Sequence, residues 1–204
     1  YTLLIYKGFR DRSYGMPLTA LCTNISWEFL AAFILPAPCR QFQQASGLWL
    51  FADLCILATA ILYGAADFRH HLATRKKLLV ILVLGLLVSG HIQFELIVTL
   101  DDPHGIVVAQ INNFLLSALL IVMACRRWSL QGQSLVIAAA LLAVNLLCWF
   151  AYERGGCLEF IEYPDHNRFM HILFVYIICL NVAYVALLGY FSYAKLSTVG
   201  TLLR

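Results

Sequence analysis

Residues 78–100 read LLVILVLGLLVSGHIQFELIVTL, a run with no lysine, arginine or proline and with one carboxylate, Glu95. A transmembrane helix needs about 20 mostly apolar residues to cross the hydrocarbon of a bilayer, and this run supplies them. Working outward, five more stretches meet the same requirement, at about 17–36, 47–66, 105–125, 133–152 and 169–193, each bounded by charge, Pro or Gly. Tyr1-Thr2-Leu3-Leu4-Ile5-Tyr6 is apolar and stops at Lys7, as the last turns of a span do. The chain is therefore expected to be all-α: a polytopic membrane helix bundle of six full spans plus the end of a seventh at the N-terminus. One domain over residues 1–204 is expected, with no cleavable signal peptide. The composition agrees, at 62% hydrophobic, 12% charged and a mean hydropathy of +0.80, where soluble domains are about a quarter charged. A net charge of +3 gives no reason to expect a nucleic-acid partner.

The basic residues set the orientation. Lys7, Arg10, Arg12, Arg69, Arg75, Lys76, Lys77, Arg126, Arg127, Lys195 and Arg204 fall on one face, and only Arg40, Arg154 and Arg168 on the other. The richer face, called A here, is expected to be cytoplasmic by the positive-inside rule. The opposite face B carries Asp101, Asp102, Glu153, Glu159, Glu162 and Asp165. Of seven cysteines, Cys39 and Cys157 fall in face-B loops; in an oxidising compartment a bridge between them becomes available. The other five sit in apolar runs and read as small buried hydrophobes.

Ionisable groups inside a span are costly, by about 2.5–3.5 kcal/mol even on the gentler scales. Glu28 lies past the middle of the first full span, Asp53 early in the second, His91 and Glu95 late in the third. Gln110, Asn112 and Asn113 open the fourth, and His171 opens the last. All share the face-B half, which points to a pocket open toward face B with an apolar floor and an acidic wall. Each residue also has a plainer reading. Asp53 reads equally as a helix-end carboxylate at the interface. Asn112 and Asn113 read as interhelical glue worth about 1 kcal/mol, and His91 and Glu95 as an i, i+4 pair. Glu28 resists such a reading, because no basic residue lies within a helical turn of it. Burial without a partner favours the neutral acid over the carboxylate, and a neutral acid in an apolar pocket is what proton donation requires.

The run Gly8-Phe9-Arg10-Asp11-Arg12-Ser13-Tyr14-Gly15-Met16-Pro17-Leu18, followed by Asn24-Ile25-Ser26-Trp27-Glu28-Phe29, resembles the small integral-membrane terpene cyclases. These are the pyripyropene- and paxilline-type enzymes of meroterpenoid and indole-diterpene pathways and their bacterial relatives. The resemblance continues through Trp49-Leu50-Phe51-Ala52-Asp53 and Asn112-Asn113-Phe114, then more faintly to Asp165-His166-Asn167. It implies a seven-helix cyclase with no metal and no cofactor. Such an enzyme protonates a terminal epoxide, or an alkene, of a lipophilic prenylated substrate and lets carbocation cyclisation follow. It implies two catalytic acids: Glu28, and a second near the last helix, here Asp165 with Glu159 as the fallback. Asn24, Trp27, Asp53, His91, Glu95, Asn112, Asn113, Trp149, Glu159 and His171 are the expected substrate-binding residues. Phe29, Trp49, Phe51, Phe150 and Tyr152 lie at similar depth, although Trp49 and Tyr152 suit an interfacial aromatic belt better.

The sequence carries neither the DDxxD of cyclases that ionise a diphosphate nor a DxDD acid. Asp101-Asp102 runs into Pro103 and reads as a turn. A retinal protein needs a lysine deep in its last helix, whereas Lys195 lies at the cytoplasmic edge. A proton-coupled transporter or channel is the alternative use of the same acids, but the face-A half is almost purely apolar and no internal repeat is visible.

Overall fold

The structure, a computed structural model, describes residues 1–67, 74–154 and 167–202. Among these residues the chain forms seven helices and no strand: α1 (Thr2–Arg10), α2 (Leu18–Phe33), α3 (Arg40–Asp67), α4 (Arg75–Thr99), α5 (Ile106–Arg127), α6 (Leu135–Glu153) and α7 (Asn167–Leu202). Segments Arg40–Ala65, Arg75–Thr99, Ile106–Arg127, Leu135–Glu153 and Arg168–Ala194 are long and apolar enough to cross a membrane. The protein is thus a polytopic helical bundle with five long spans among the described residues, where six were expected.

The difference lies in α2. Its 16 residues reach about 24 Å at 1.5 Å per residue, short of the roughly 30 Å hydrocarbon core. Pro36 and Pro38 follow its end, and a proline pushes the residue before it out of the helical region. The chain leaves the helix at Ile34, and the Leu35 N–H folds back on the Leu30 carbonyl at 2.8 Å.

α2 is nevertheless the hub. It buries most of its residues between Ala20 and Ala32, Phe29 excepted, and packs against α3, α4 and α5. Around it α1 lies on α3, α5 on α7, and α6 on α7. α4 and α6 turn most of their surface outward, showing residues such as Val80, Leu87, Val136 and Leu147. The seam between α2 and α4 is made of small groups, as helix contacts in lipid require. Ser26 and Ser89 hydroxyls meet at 2.8 Å, Ser26 donates to the Leu86 carbonyl at 3.0 Å, and Gly85 stands directly against Cys22.

The face-A half is filled by one apolar cluster that includes Tyr14, Leu21, Ile56, Leu116, Tyr184, Leu188 and Phe191. Below it, the α1–α2 turn is clamped to the α5–α6 turn. Asp11 takes Lys7 at 3.0 Å, Arg10 at 3.1 Å and the Gly132 N–H at 3.1 Å. Arg127 donates to the Tyr14 carbonyl at 2.8 Å and lies 4.3 Å from the centre of its ring. Partial burial works against the Asp11 charge, but the hydrogen bonds from Lys7, Gly132 and Arg10 outweigh it and hold the carboxyl below its usual range.

At face B, the expected turn at Asp101-Asp102 is also the cap of α5. The buried Asp102 carboxylate accepts the Ile106 N–H at 2.9 Å and the Val108 N–H at 3.0 Å, pairing two donors that a helix start leaves open. His104 meets the Pro36 carbonyl at 2.6 Å, drawing this turn onto the end of α2. Cys39 is disulfide-bonded, while Cys22, Cys55, Cys125, Cys148 and Cys179 are free. Cys157 lies outside the described residues.

Candidate active site

Glu28 sits about 15 Å along α2 from Leu18, and Asp53 about 20 Å along α3 from Arg40. Because the two helices run in opposite directions and pack side by side, these depths bring the two carboxyl groups face to face inside the bundle. Both are buried, at 3% and 0% exposure. They act on each other electrostatically and as hydrogen-bonding neighbours, and Asn24, one turn before Glu28, reaches Asp53 from the same side of α2. The Tyr1 hydroxyl, carried in by α1, donates to Glu28 Oε1 at 3.3 Å. No well-formed hydrogen bond reaches Glu28 Oε2 or either oxygen of Asp53. The constellation is two carboxyls, an amide and a phenol, with no lysine, arginine or histidine side chain acting on either acid among the described residues.

The remaining expected site residues divide by location. Asn112 donates to Gln93 Oε1 at 2.8 Å, and Gln93 donates to the Thr23 carbonyl at 2.9 Å, so both belong to a polar seam joining α2, α4 and α5. Asn113 is half-buried and donates to Gln110 at 3.4 Å. His91 and Glu95 are exposed on α4, whereas Gln93 between them is buried. Trp27 donates its indole N–H to the Gly105 carbonyl at 2.8 Å and meets Phe42 edge-on, pinning the α4–α5 turn.

Near face B, Trp149 donates to Glu153 at 2.9 Å and His171 meets the same carboxylate at 2.6 Å. Trp149 stacks on Phe174, with ring centres 6.1 Å apart and planes 6° from parallel, and Tyr152 packs against Phe174 and His171. Phe29, Trp49, Phe51 and Phe150 point outward. Glu159 and Asp165 lie outside the described residues.

Tyr1 and Gln93 were not among the expected site residues. Tyr1 stands in an apolar run whose helix is too short to reveal which side faces the bundle. Gln93 lies between two ionisable residues that draw the eye first. The i, i+4 spacing of Thr23 to Trp27 and Asn24 to Glu28 was the available signal that α2 presents two polar faces.

The described residues thus place two buried carboxyls side by side in a helical membrane bundle, with no lysine, arginine or histidine side chain acting on either. The family model of the Pyr4-like transmembrane terpene cyclases matches residues 1–142, and the chain belongs to that family. Over 173 residues it is 31% identical to terpene cyclase dpasB of Apiospora sacchari, covering 83% of this chain and 69% of that one. It is 39% identical over 70 residues to the Pyr4-family terpene cyclase mfmH of Annulohypoxylon moriforme, and 31% identical over 70 residues to terpene cyclase pyr4 of Aspergillus fumigatus. Those two matches cover 34% of this chain and under a third of either relative, 28% and 29%. No solved structure matches.

Proposed function

We propose that this chain is a membrane-bound terpene cyclase in which Glu28 protonates the terminal epoxide, or alkene, of a prenylated substrate. The observation that carries the reading is Glu28 itself: a buried carboxyl with one oxygen unpaired and no cation to hold it ionised. The O–H bond of Glu28 breaks as the epoxide oxygen takes the proton. The C–O bond then opens while the next alkene closes on the carbon, and the cation moves along the folded chain until a proton is lost. Asp165 is the second acid, on the resemblance alone. Asn24, Asp53, Asn112, Asn113, Trp149 and His171 belong to the pocket or its supporting shell. Aromatic faces such as Trp149 and Tyr152 suit a passing cation, by about 2 kcal/mol when desolvated.

A polyprenyl chain partitions into the bilayer, and a pocket sealed by an apolar cluster protects carbocations from water. That same cluster in the face-A half disfavours a transmembrane proton conduit. The concentration of basic residues on face A and the disulfide at Cys39 support a cytoplasmic face A and an oxidising face B.

Membranes containing the protein, incubated with an epoxidised farnesyl-aromatic substrate, are expected to yield an isomeric cyclised product by mass spectrometry and NMR. Glu28→Gln and Asp165→Asn, matched for expression, are expected to abolish it. Product surviving Glu28→Gln would remove Glu28 as the donor. Proton or ion flux in liposomes, with no conversion of prenyl substrates, would replace the enzyme by a transporter.

A further inference from the structure

Proton donation by Glu28 gives Asp53 no task, yet Asp53, like Asp102, is fully enclosed among the described residues, at 0% exposure on α3, which packs against α2. Asp102 is occupied as a helix cap, whereas no well-formed hydrogen bond reaches either Asp53 oxygen, with Asn24 and Glu28 as its polar neighbours. Nor does one reach Glu28 Oε2, while Oε1 takes the Tyr1 hydroxyl. Around these three oxygens α1 contributes the hydroxyl of Tyr1, and α2 contributes Asn24. The Asn24 amide also meets the Met16 sulfur at 3.9 Å, a weak acceptor, and is a hydrogen-bonding neighbour of the Tyr1 hydroxyl. Gln93 and Asn112 stand on the α4 and α5 side of α2.

Two adjacent anions in an apolar interior repel strongly, and every orphaned oxygen adds its own desolvation cost. One proton held between the carboxyls relieves both: it removes a charge and supplies a donor to oxygens that no well-formed hydrogen bond reaches.

Resting on the reading of Glu28 as the acid, we propose that Asp53 is its positioning residue. The two share a single proton, which sits at Glu28 Oε2 because the Tyr1 hydroxyl occupies Oε1. When the Oε2–H bond breaks and the proton passes to the substrate, the pair is left with two negative charges. The third charge in the site is then the substrate cation, which the pair stabilises. The proton released at the end of the cascade restores the pair, so the isomerisation consumes none.

The test uses the full chain purified in detergent. Infrared spectroscopy in H2O and D2O is expected to show a protonated carboxyl band that Glu28→Gln removes and Asp53→Asn shifts. In turnover, Asp53→Asn is expected to lower kcat by about ten- to a hundredfold with KM nearly unchanged, and Asp53→Glu to recover part of the loss. Thermal unfolding confirms that each variant is folded. A carboxyl band unmoved by Asp53→Asn overturns the proposal, and so does an unchanged kcat. If the parent makes no cyclised product, the cyclase reading fails on that result, and the infrared band alone decides whether the proton is shared.

Discussion

Gly15 shows what the resemblance block from Gly8 to Leu18 is for. A Cβ there would stand 2.1 Å from Leu4 Cδ2 and 2.7 Å from the Gly132 carbonyl, so the α1–α2 turn closes on the α5–α6 turn only with glycine. Gly132, at φ +71°, needs glycine for its backbone as well. Gly15→Ala is expected to destabilise the protein by about 1–3 kcal/mol, seen as a lower unfolding temperature in detergent. Gly47→Ala, with no atom within 4 Å of the added carbon, serves as the neutral control. The stretch from Gly8 to Leu18 largely builds this clamp, and the Trp27-Glu28-Phe29 block of the resemblance lies on the helix that follows. Individual residues were legible to different degrees. Depth in the membrane follows from counting along a span, which placed Glu28 and Asp53 at compatible levels. Direction around the helix does not, because helices apolar on all sides carry little amphipathic signal. His91 and Glu95 are exposed on α4 while Gln93 between them is buried, a difference that depth alone does not carry.

The helices themselves were largely written in the composition. Runs 78–100 and 105–125 correspond closely to α4 and α5, since charge, Pro and Gly bound them. The length of α2 was misjudged because apolar residues continue from Phe33 to Leu35 after the helix has ended. The pairing of helices was not legible: nothing in sequence order announces that α2 meets α3, α4 and α5 while α6 meets α7. Small side chains at depth offered a partial signal. Ser89, bonded to Ser26 at 2.8 Å and to the Cys22 carbonyl at 3.1 Å, sits where α4 crosses α2. Ser89→Leu is expected to separate the two helices at a cost of about 1–3 kcal/mol. Ser89→Ala, which keeps the close approach, is expected to cost less, with both compared by thermal unfolding of matched samples.

Across the whole molecule, the two membrane faces are held by different chemistry. Face B relies on capping and carbonyl contacts, and face A on the ionic clamp around Asp11. Because its folded carboxyl lies below its ordinary value, the contribution of Asp11 is fully present above about pH 4. It is lost as the pH falls through the lower folded value. Asp11→Asn is therefore expected to lower the unfolding temperature at pH 7, and the gap to the parent is expected to close as both are acidified below pH 4. A gap of the same size at both pH values would show that Asp11 acts through packing alone.

The short α2 has a consequence for how the protein lives in its membrane. Lipids of different chain length stretch or compress whatever helices they touch, and α6, α4 and α3 are the most outward-facing of the long spans. α2 is packed by its neighbours on most sides and is too short to register the thickness of the bilayer. Glu28 is thus shielded from the lipid, whereas Asp53 rides on a long span that meets it, so a thicker or thinner membrane bears on the spacing of the acids through α3.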